Sequence, residues 1–205
     1  MENIYGIDLG TTNSLIGLHK TGYLSDLIPS CVDLETGKAG KDYFDNMSAK
    51  RSFKVDMSMG IEGISPRYAS TCVLRELCNQ VKDDKVHSVV ISVPAYFTDS
   101  QRTATITAAC DLGLDVKGLV NEPTAAAMYI AQQNKGLYVV FDLGGGTFDI
   151  SVIDSRFSFF DVQATTGRIV GGDNFDKNIT RHFIKEGGIP FHKISEKSRM
   201  AIQHF

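Results

Sequence analysis

Two glycine-bearing turns of nearly the same wording, each set between apolar runs, constrain this chain more than any other feature. Ile4, Tyr5, Ile7 and Leu9 lead into Asp8-Leu9-Gly10-Thr11-Thr12-Asn13, and Leu15, Ile16 and Leu18 lead out. Leu137 to Phe141 leads into Asp142-Leu143-Gly144-Gly145-Gly146-Thr147, and Phe148 to Ile153 leads out. Polar turn residues between apolar runs predict a β-hairpin. Two copies of one such unit predict a duplicated architecture with two pseudo-equivalent lobes.

The turns also carry chemistry. Glycine lets the backbone approach a bulky anion with no Cβ in the way. Successive amides in such a turn form an anion-binding concavity, to which the threonine hydroxyls add donors. An aspartate at each strand end offers a hard oxygen ligand for magnesium, which keeps several waters and bridges phosphates. Two such hairpins facing each other would grip a triphosphate from both sides. The plain alternative is a pair of ordinary turns. Three consecutive glycines lose much entropy on folding, and a purely structural turn rarely needs them.

Between the hairpins the pattern is mixed α/β. Leu24 to Lys41 reads as short strands and turns, broken at Pro29, Gly37 and Gly40, and Lys50 to Pro66 as loop and short helix. Ala69 to Val81 predicts a helix with Val73, Leu74, Leu77 and Val81 on one face. His87 to Val93 is almost continuously apolar, as in a strand covered on both sides. Thr98-Asp99-Ser100-Gln101 matches a capping box for a helix to about Leu112, with Ile106, Ala109 and Cys110 inward and Gly113 left-handed beyond its end. After a strand at Val116–Val120, Asn121-Glu122-Pro123 opens a second helix, which Ala125, Ala126, Ala127 and Met128 allow to pack closely. A strand over Phe157–Ala164 and a helix from near Asn174, with Phe175, Ile179, Phe183 and Ile184 on its apolar face, complete the reading.

Other classes find little support. A net charge of −3 gives no electrostatic reason to expect nucleic acid or an anionic membrane surface. No stretch nears the roughly 20 apolar residues that span a bilayer. Met1-Glu2-Asn3 lacks the basic start of a signal peptide. Cys31, Cys72, Cys78 and Cys110 contain no C-x-x-C pair and read as free thiols in a reducing cytoplasm. Thr36-Gly37-Lys38-Ala39-Gly40-Lys41 lacks P-loop spacing, and no G-x-G-x-x-G follows a strand.

Taken together, the wording resembles the ATPase domain of DnaK-type heat-shock chaperones, which has an actin-like (ribonuclease H-like) fold. Ile7 to Ser14 is similar to that family's first phosphate motif, and Asp142 to Asp149 (D-L-G-G-G-T-F-D) to its second. Val93-Pro94-Ala95-Tyr96-Phe97 with Gln101-Arg102, Asn121 to Ala127, and Gly171-Gly172-Asp173-Asn174-Phe175-Asp176 follow in family order. The compact stretch from Lys54 to Val86 resembles divergent bacterial members such as HscC more than DnaK itself. The resemblance implies a first lobe over residues 1–136 and an incomplete second lobe over 137–205.

By the same resemblance, Asp8 and Asp142 would hold Mg2+ largely through its waters. Gly10, Thr11, Thr12, Asn13, Gly144, Gly145, Gly146 and Thr147 would contact the phosphates of ATP or ADP, with Gly171, Gly172 and Asp173 also on the nucleotide side. Glu122, Asp149 and Thr147 would serve hydrolysis, the carboxylates by positioning the attacking water or the metal's water shell. Lys54 is the best match to the hydrolytic lysine, with Lys50 as the fallback. Pro94 and Arg102 match a relay between nucleotide state and a peptide-binding domain, or serve only as a strand terminator and a surface charge. Implied partners are unfolded polypeptides, a J-domain co-chaperone and a nucleotide-exchange factor. In the family the adenosine-binding residues lie beyond the position of Phe205, so weak or absent turnover is expected from this chain. The second-lobe sheet, with Phe157, Phe159 and Phe160, is expected to have unfinished packing and an exposed edge. A sugar kinase of the same fold and a non-hydrolysing scaffold remain as alternatives.

Overall fold

A computed structural model describes residues 2–43, 49–51, 53–56, 65–82, 84–131, 134–156 and 159–187. The first hairpin forms as expected. Strand β1 (Ile4–Leu9) pairs antiparallel with β2 (Asn13–Leu18), and Asp8 stands opposite Leu15. Tyr5, Ile7 and Leu9 alternate inward while Ile4, Gly6 and Asp8 face out, the two-residue period of a strand with one covered face.

Four short strands follow: β3 (Tyr23–Leu24), β4 (Ile28–Pro29), β5 (Val32–Asp33) and β6 (Lys38–Ala39). Strands β3 and β4 both pair with β2, and β5 joins β6 and β7 (Ala49–Lys50) in a small separate sheet. A single 3-10 turn, Phe53–Asp56, carries Lys54. Ser52, and most of the stretch expected to be loop and short helix before Pro66, lie outside the described residues.

Helix α1 (Pro66–Gln80) starts earlier than its apolar face suggests, because Pro66 occupies the first turn, where its missing amide costs nothing. Val73, Leu74 and Leu77 are fully buried. Strand β8 (Ser88–Val93) runs parallel to β1 and is buried along nearly its whole length, as expected of a central strand. Helix α2 (Asp99–Cys110) begins with the expected capping box. Thr98 Oγ1 accepts from the Gln101 amide at 3.3 Å, and Gln101 Oε1 accepts from the Thr98 amide at 2.9 Å. Gly113 has φ 75°, in the left-handed region beyond the helix end.

The inward face of α2 differs from expectation. Gln101, Thr105, Ala108 and Ala109 are buried, whereas Ile106 is partly open and Cys110 is exposed. Thr105 can turn inward because its hydroxyl donates to the Gln101 carbonyl at 2.9 Å, which satisfies it within the helix. Strand β9 (Asp115–Asn121) runs parallel to β8 and completes a sheet of order β3-β2-β1-β8-β9, with β4 beside β2. Helix α3 (Glu122–Ile130) packs against β9 and against the second hairpin. Ala127 is buried there, but Ala126 and Met128 are exposed, so only part of the small-residue run makes the close contact.

The second hairpin is β10 (Leu137–Leu143) and β11 (Phe148–Asp154), in antiparallel register. The following strand, β12, spans Asp161–Arg168 rather than starting at Phe157, a residue outside the described ones. Its register is set by pairing Gly167 with Asp149 and Arg168 with Phe148. Helix α4 (Gly172–Glu186) begins two residues before Asn174, because the Asn174 side chain caps it, Oδ1 accepting from the Gly171 amide at 2.9 Å. Phe175, Ile179 and Phe183 of α4 are exposed, as are Leu137, Val139, Phe141 and Leu143 on one face of β10. Phe159 is exposed as well, so among the described residues this sheet and α4 leave several apolar side chains uncovered.

Candidate functional site

The two hairpin turns meet. A Cβ placed on Gly145 would lie 1.7 Å from Thr12 Oγ1, and one on Gly146 would lie 2.7 Å from Thr11 Cγ2. Neither glycine has a left-handed φ, so close approach of the opposite loop requires them. Gly144 differs, since a Cβ there meets only ordinary contacts at 3.6 Å with Thr147. Each turn is closed by its own bond. The Gly10 amide donates to Ser14 Oγ at 3.1 Å, and the Gly144 amide to the Thr147 carbonyl at 2.9 Å. Ser14 Oγ is itself held 2.8 Å from Ser30 Oγ.

A cleft of about 600 Å³ opens between the turns. Asp8, Gly10, Thr11, Thr12 and Asn13 line it from the first turn, and Asp142, Gly144, Gly145 and Thr147 from the second. Lys54, Glu122, Ser92, Ala125, Ala126, Leu27, Val140 and Phe141 form the remaining wall. Gly146, Gly171, Gly172 and Asp173 are not among the wall residues. The last three sit behind the second turn, where the Gly172 and Asp173 amides donate to the Gly144 and Gly145 carbonyls at 3.1 and 2.8 Å. Lys50 lies on β7 and also lies off the wall.

Lys54 is buried at 3% exposure, and its Nζ donates to Glu122 Oε1 at 2.5 Å. The same Nζ lies 5.8 Å from the centre of the Phe97 ring, within cation–π range. Arg102 fixes this corner. It donates to the Phe97 carbonyl at 3.1 Å, the Ala95 carbonyl at 3.3 Å and Asn121 Oδ1 at 2.9 Å, tying the turn after β8 to the residue before Glu122.

Three carboxylates share this one lysine. Burial raises the Glu122 pKa; Lys54 opposes the shift, while Asp8 and Asp142 add to it. Burial and Asp8 raise that of Asp142, again against Lys54. Asp149 is fully buried, stands directly opposite Asp142 across the β10–β11 pair, and neither of its carboxylate oxygens has a hydrogen-bond partner. Burial, then Glu122 and Asp142, push its pKa to about 6. Gly167, facing it from β12, leaves it room, since a Cβ there would lie 2.5 Å from Asp149 Oδ1.

These residues fit a bound magnesium. Among the described residues no three His, Cys, Asp or Glu side chains cluster to hold a metal by themselves. Asp8 and Asp142 supply two oxygens from opposite turns, which suits an ion that completes its shell with water and phosphate. Asp149, fully buried behind Asp142, is not among the residues that line the cleft. Sequence reasoning missed Ser92, whose hydroxyl donates to Asp8 Oδ1 at 2.7 Å. Its signal was a polar residue inside an otherwise apolar buried strand, Val89-Val90-Ile91-Ser92-Val93.

Two glycine-bearing hairpins closing on one cleft, in a mixed α/β chain, fit an actin-like ATPase fold. Residues 44–205 match the family model described as Hsp70 protein, and the chain belongs to the Hsp70 family. The first hairpin precedes the matched segment, so its place in the site rests on the geometry above. None of the four cysteines is in a disulfide, and no helix among the described residues is long and apolar enough to cross a membrane.

Proposed function

We propose that the cleft binds the phosphates of ATP with Mg2+ and supports their hydrolysis, as the nucleotide switch of a molecular chaperone. The single observation that carries this reading is the contact of Gly145 and Gly146 with Thr12 and Thr11, which puts two anion-binding turns on one cleft. Phosphoryl transfer to water asks mainly for positioning and charge neutralisation. Bound magnesium would supply charge neutralisation at the phosphates. Asp8 and Asp142 would hold it, each from its own turn. Thr11, Thr12, Asn13 and Thr147 hydroxyl and amide donors, with the Gly145 and Gly146 amides, orient the phosphates, and Gly10 gives the first turn its close approach. Lys54 faces the terminal phosphate, and Glu122 keeps the lysine in place. Asp149, with a pKa of about 6, accepts a hydrogen bond from the attacking water or from the metal's water shell.

Family membership favours this chaperone reading over a sugar kinase of the same fold. On that reading residues 1–136 form one lobe and residues 137–205 belong to the other. The site works in the cytoplasm in an HscC-like chaperone, whose nucleotide state governs unfolded clients, with a J-domain co-chaperone and an exchange factor as regulators. The test is single-turnover hydrolysis alongside nucleotide binding. Lys54→Ala is expected to keep Mg·ATP binding and lose hydrolysis. An unchanged single-turnover rate in that variant would remove Lys54 from the reaction.

A further inference from the structure

The second turn is held from behind by the start of α4. The Gly172 amide bonds the Gly144 carbonyl and the Asp173 amide bonds the Gly145 carbonyl, at 3.1 and 2.8 Å. All described peptide bonds are trans. In a trans peptide the C=O and the N–H of the next residue point in opposite directions. The Gly144 carbonyl aimed at α4 therefore turns the Gly145 amide away from α4, and the Gly145 carbonyl does the same for the Gly146 amide. Helix α4 gives no residue to the cleft wall, whereas Gly144, Gly145 and Thr147 do. Among the described residues neither the Gly145 nor the Gly146 amide donates to a backbone acceptor in the turn. The two donors that α4 contributes are first-turn amides with no partner inside their own helix, so the bonds satisfy both elements at once.

Gly171 completes the fit. A Cβ on it would lie 2.5 Å from the Gly144 oxygen and 2.5 Å from the Gly145 carbonyl, all backbone atoms with no side chain to swing aside. Gly172 is different, since its nearest neighbour is the Gly145 Cα at 3.7 Å, an ordinary contact.

We propose that the first turn of α4 is a positioning element for phosphate recognition. Gly171, Gly172 and Asp173 touch no phosphate. They fix two peptide planes so that the Gly145 amide on the wall faces the anion and the Gly146 amide, off the wall itself, turns the same way from α4. The inference rests on the reading of the cleft as a nucleotide site and goes beyond it by assigning the aim of the second turn to a different element.

The experiment follows backbone amide resonances of the nitrogen-15-labelled full chain during titration with Mg·ATP. In the parent, Gly145 and Gly146 amides shift together with those of Gly10, Thr11 and Asn13. Gly172→Pro, at a first helical position that tolerates proline and after an extended Gly171, removes one of the two donors and sets its ring carbon against the Gly144 carbonyl, which pushes the second turn off α4. It is expected to weaken Mg·ATP by about tenfold, the scale of one lost hydrogen bond, and to abolish the Gly145 response while the first-turn responses persist. Gly172→Ala keeps the amide and is expected to behave as the parent. Undiminished binding and an unchanged Gly145 response in folded Gly172→Pro overturn the inference alone. No response in the folded parent overturns the nucleotide site itself. Hydrogen exchange on the parent needs no variant. Protected Gly172 and Asp173 amides beside fast-exchanging Gly145 and Gly146 amides support the arrangement, and unprotected Gly172 and Asp173 amides overturn it.

Discussion

Lys54 Nζ lies 2.5 Å from Glu122 Oε1, with the lysine 3% and the glutamate 15% exposed. Removing one partner of a buried ion pair leaves an uncompensated charge, at about 3–5 kcal/mol. Lys54→Met is expected to lower stability on that scale in urea denaturation. Adding Glu122→Leu in the same chain is expected to restore most of it. If Lys54→Met unfolds at the parent's midpoint, the pair does not exist in solution.

Asp149 faces Asp142 across neighbouring strands without a partner for either oxygen. Its pKa rises from 3.8 to about 6 on folding. Below the unfolded value both states are protonated and the group costs nothing. Between those values the unfolded chain ionises first, so stability falls as pH rises, and above about pH 6 the cost is constant. A shift of this size corresponds to about 3 kcal/mol. Asp149→Asn is therefore expected to raise the melting temperature at pH 7.5 and to leave it unchanged near pH 3.5. An equal effect at both values would show that the carboxylate charge is not the cause.

Gly145 and Gly144 are neighbours with opposite tolerances. Gly145→Ala drives a methyl onto the Thr12 hydroxyl, whereas Gly144→Ala meets only ordinary contacts. Thermal shift with Mg·ATP is expected to disappear or shrink strongly in Gly145→Ala and to survive in Gly144→Ala. Equal losses in the two variants would mean that the loops do not meet as described.

Ser92 holds Asp8 through one hydrogen bond at 2.7 Å. Ser92→Ala is expected to raise the magnesium concentration needed for nucleotide binding by a few-fold, about the value of one such bond to a charged group. Ser92→Thr keeps the donor and is expected to restore the parent's requirement. A magnesium dependence identical in all three proteins counts against any role for Ser92.

Much of this architecture was legible in the chain, for physical reasons. Both hairpins announce themselves because polar glycine-bearing turns interrupt apolar runs, and β8 does so because a strand covered on both faces needs almost no polar residue. The capping box at Thr98 is a local signal that needs no tertiary context. Signals weaken where small residues dilute the pattern. Threonine satisfied within its own helix let Thr105 take an inward place assigned to Ile106 and Cys110. The start of α4 was displaced because the Asn174 side chain reaches back to Gly171. At the site, the two turns named the residues, but nothing in the spacing showed that Gly171 to Asp173 brace the second turn from behind. That relation depends on how β12 returns the chain to Gly144.

On this reading one cleft between the two turns binds magnesium and nucleotide together. Calorimetric titration of Mg·ATP into the folded parent and into Asp8→Asn/Asp142→Asn tests it most directly. The expected result is saturable binding in the parent that is lost on chelating magnesium and weakened by more than about tenfold, or 1.4 kcal/mol, in the double variant. A folded parent that gives no saturable heat with Mg·ATP or Mg·ADP, or a double variant that binds as tightly as the parent, would contradict it.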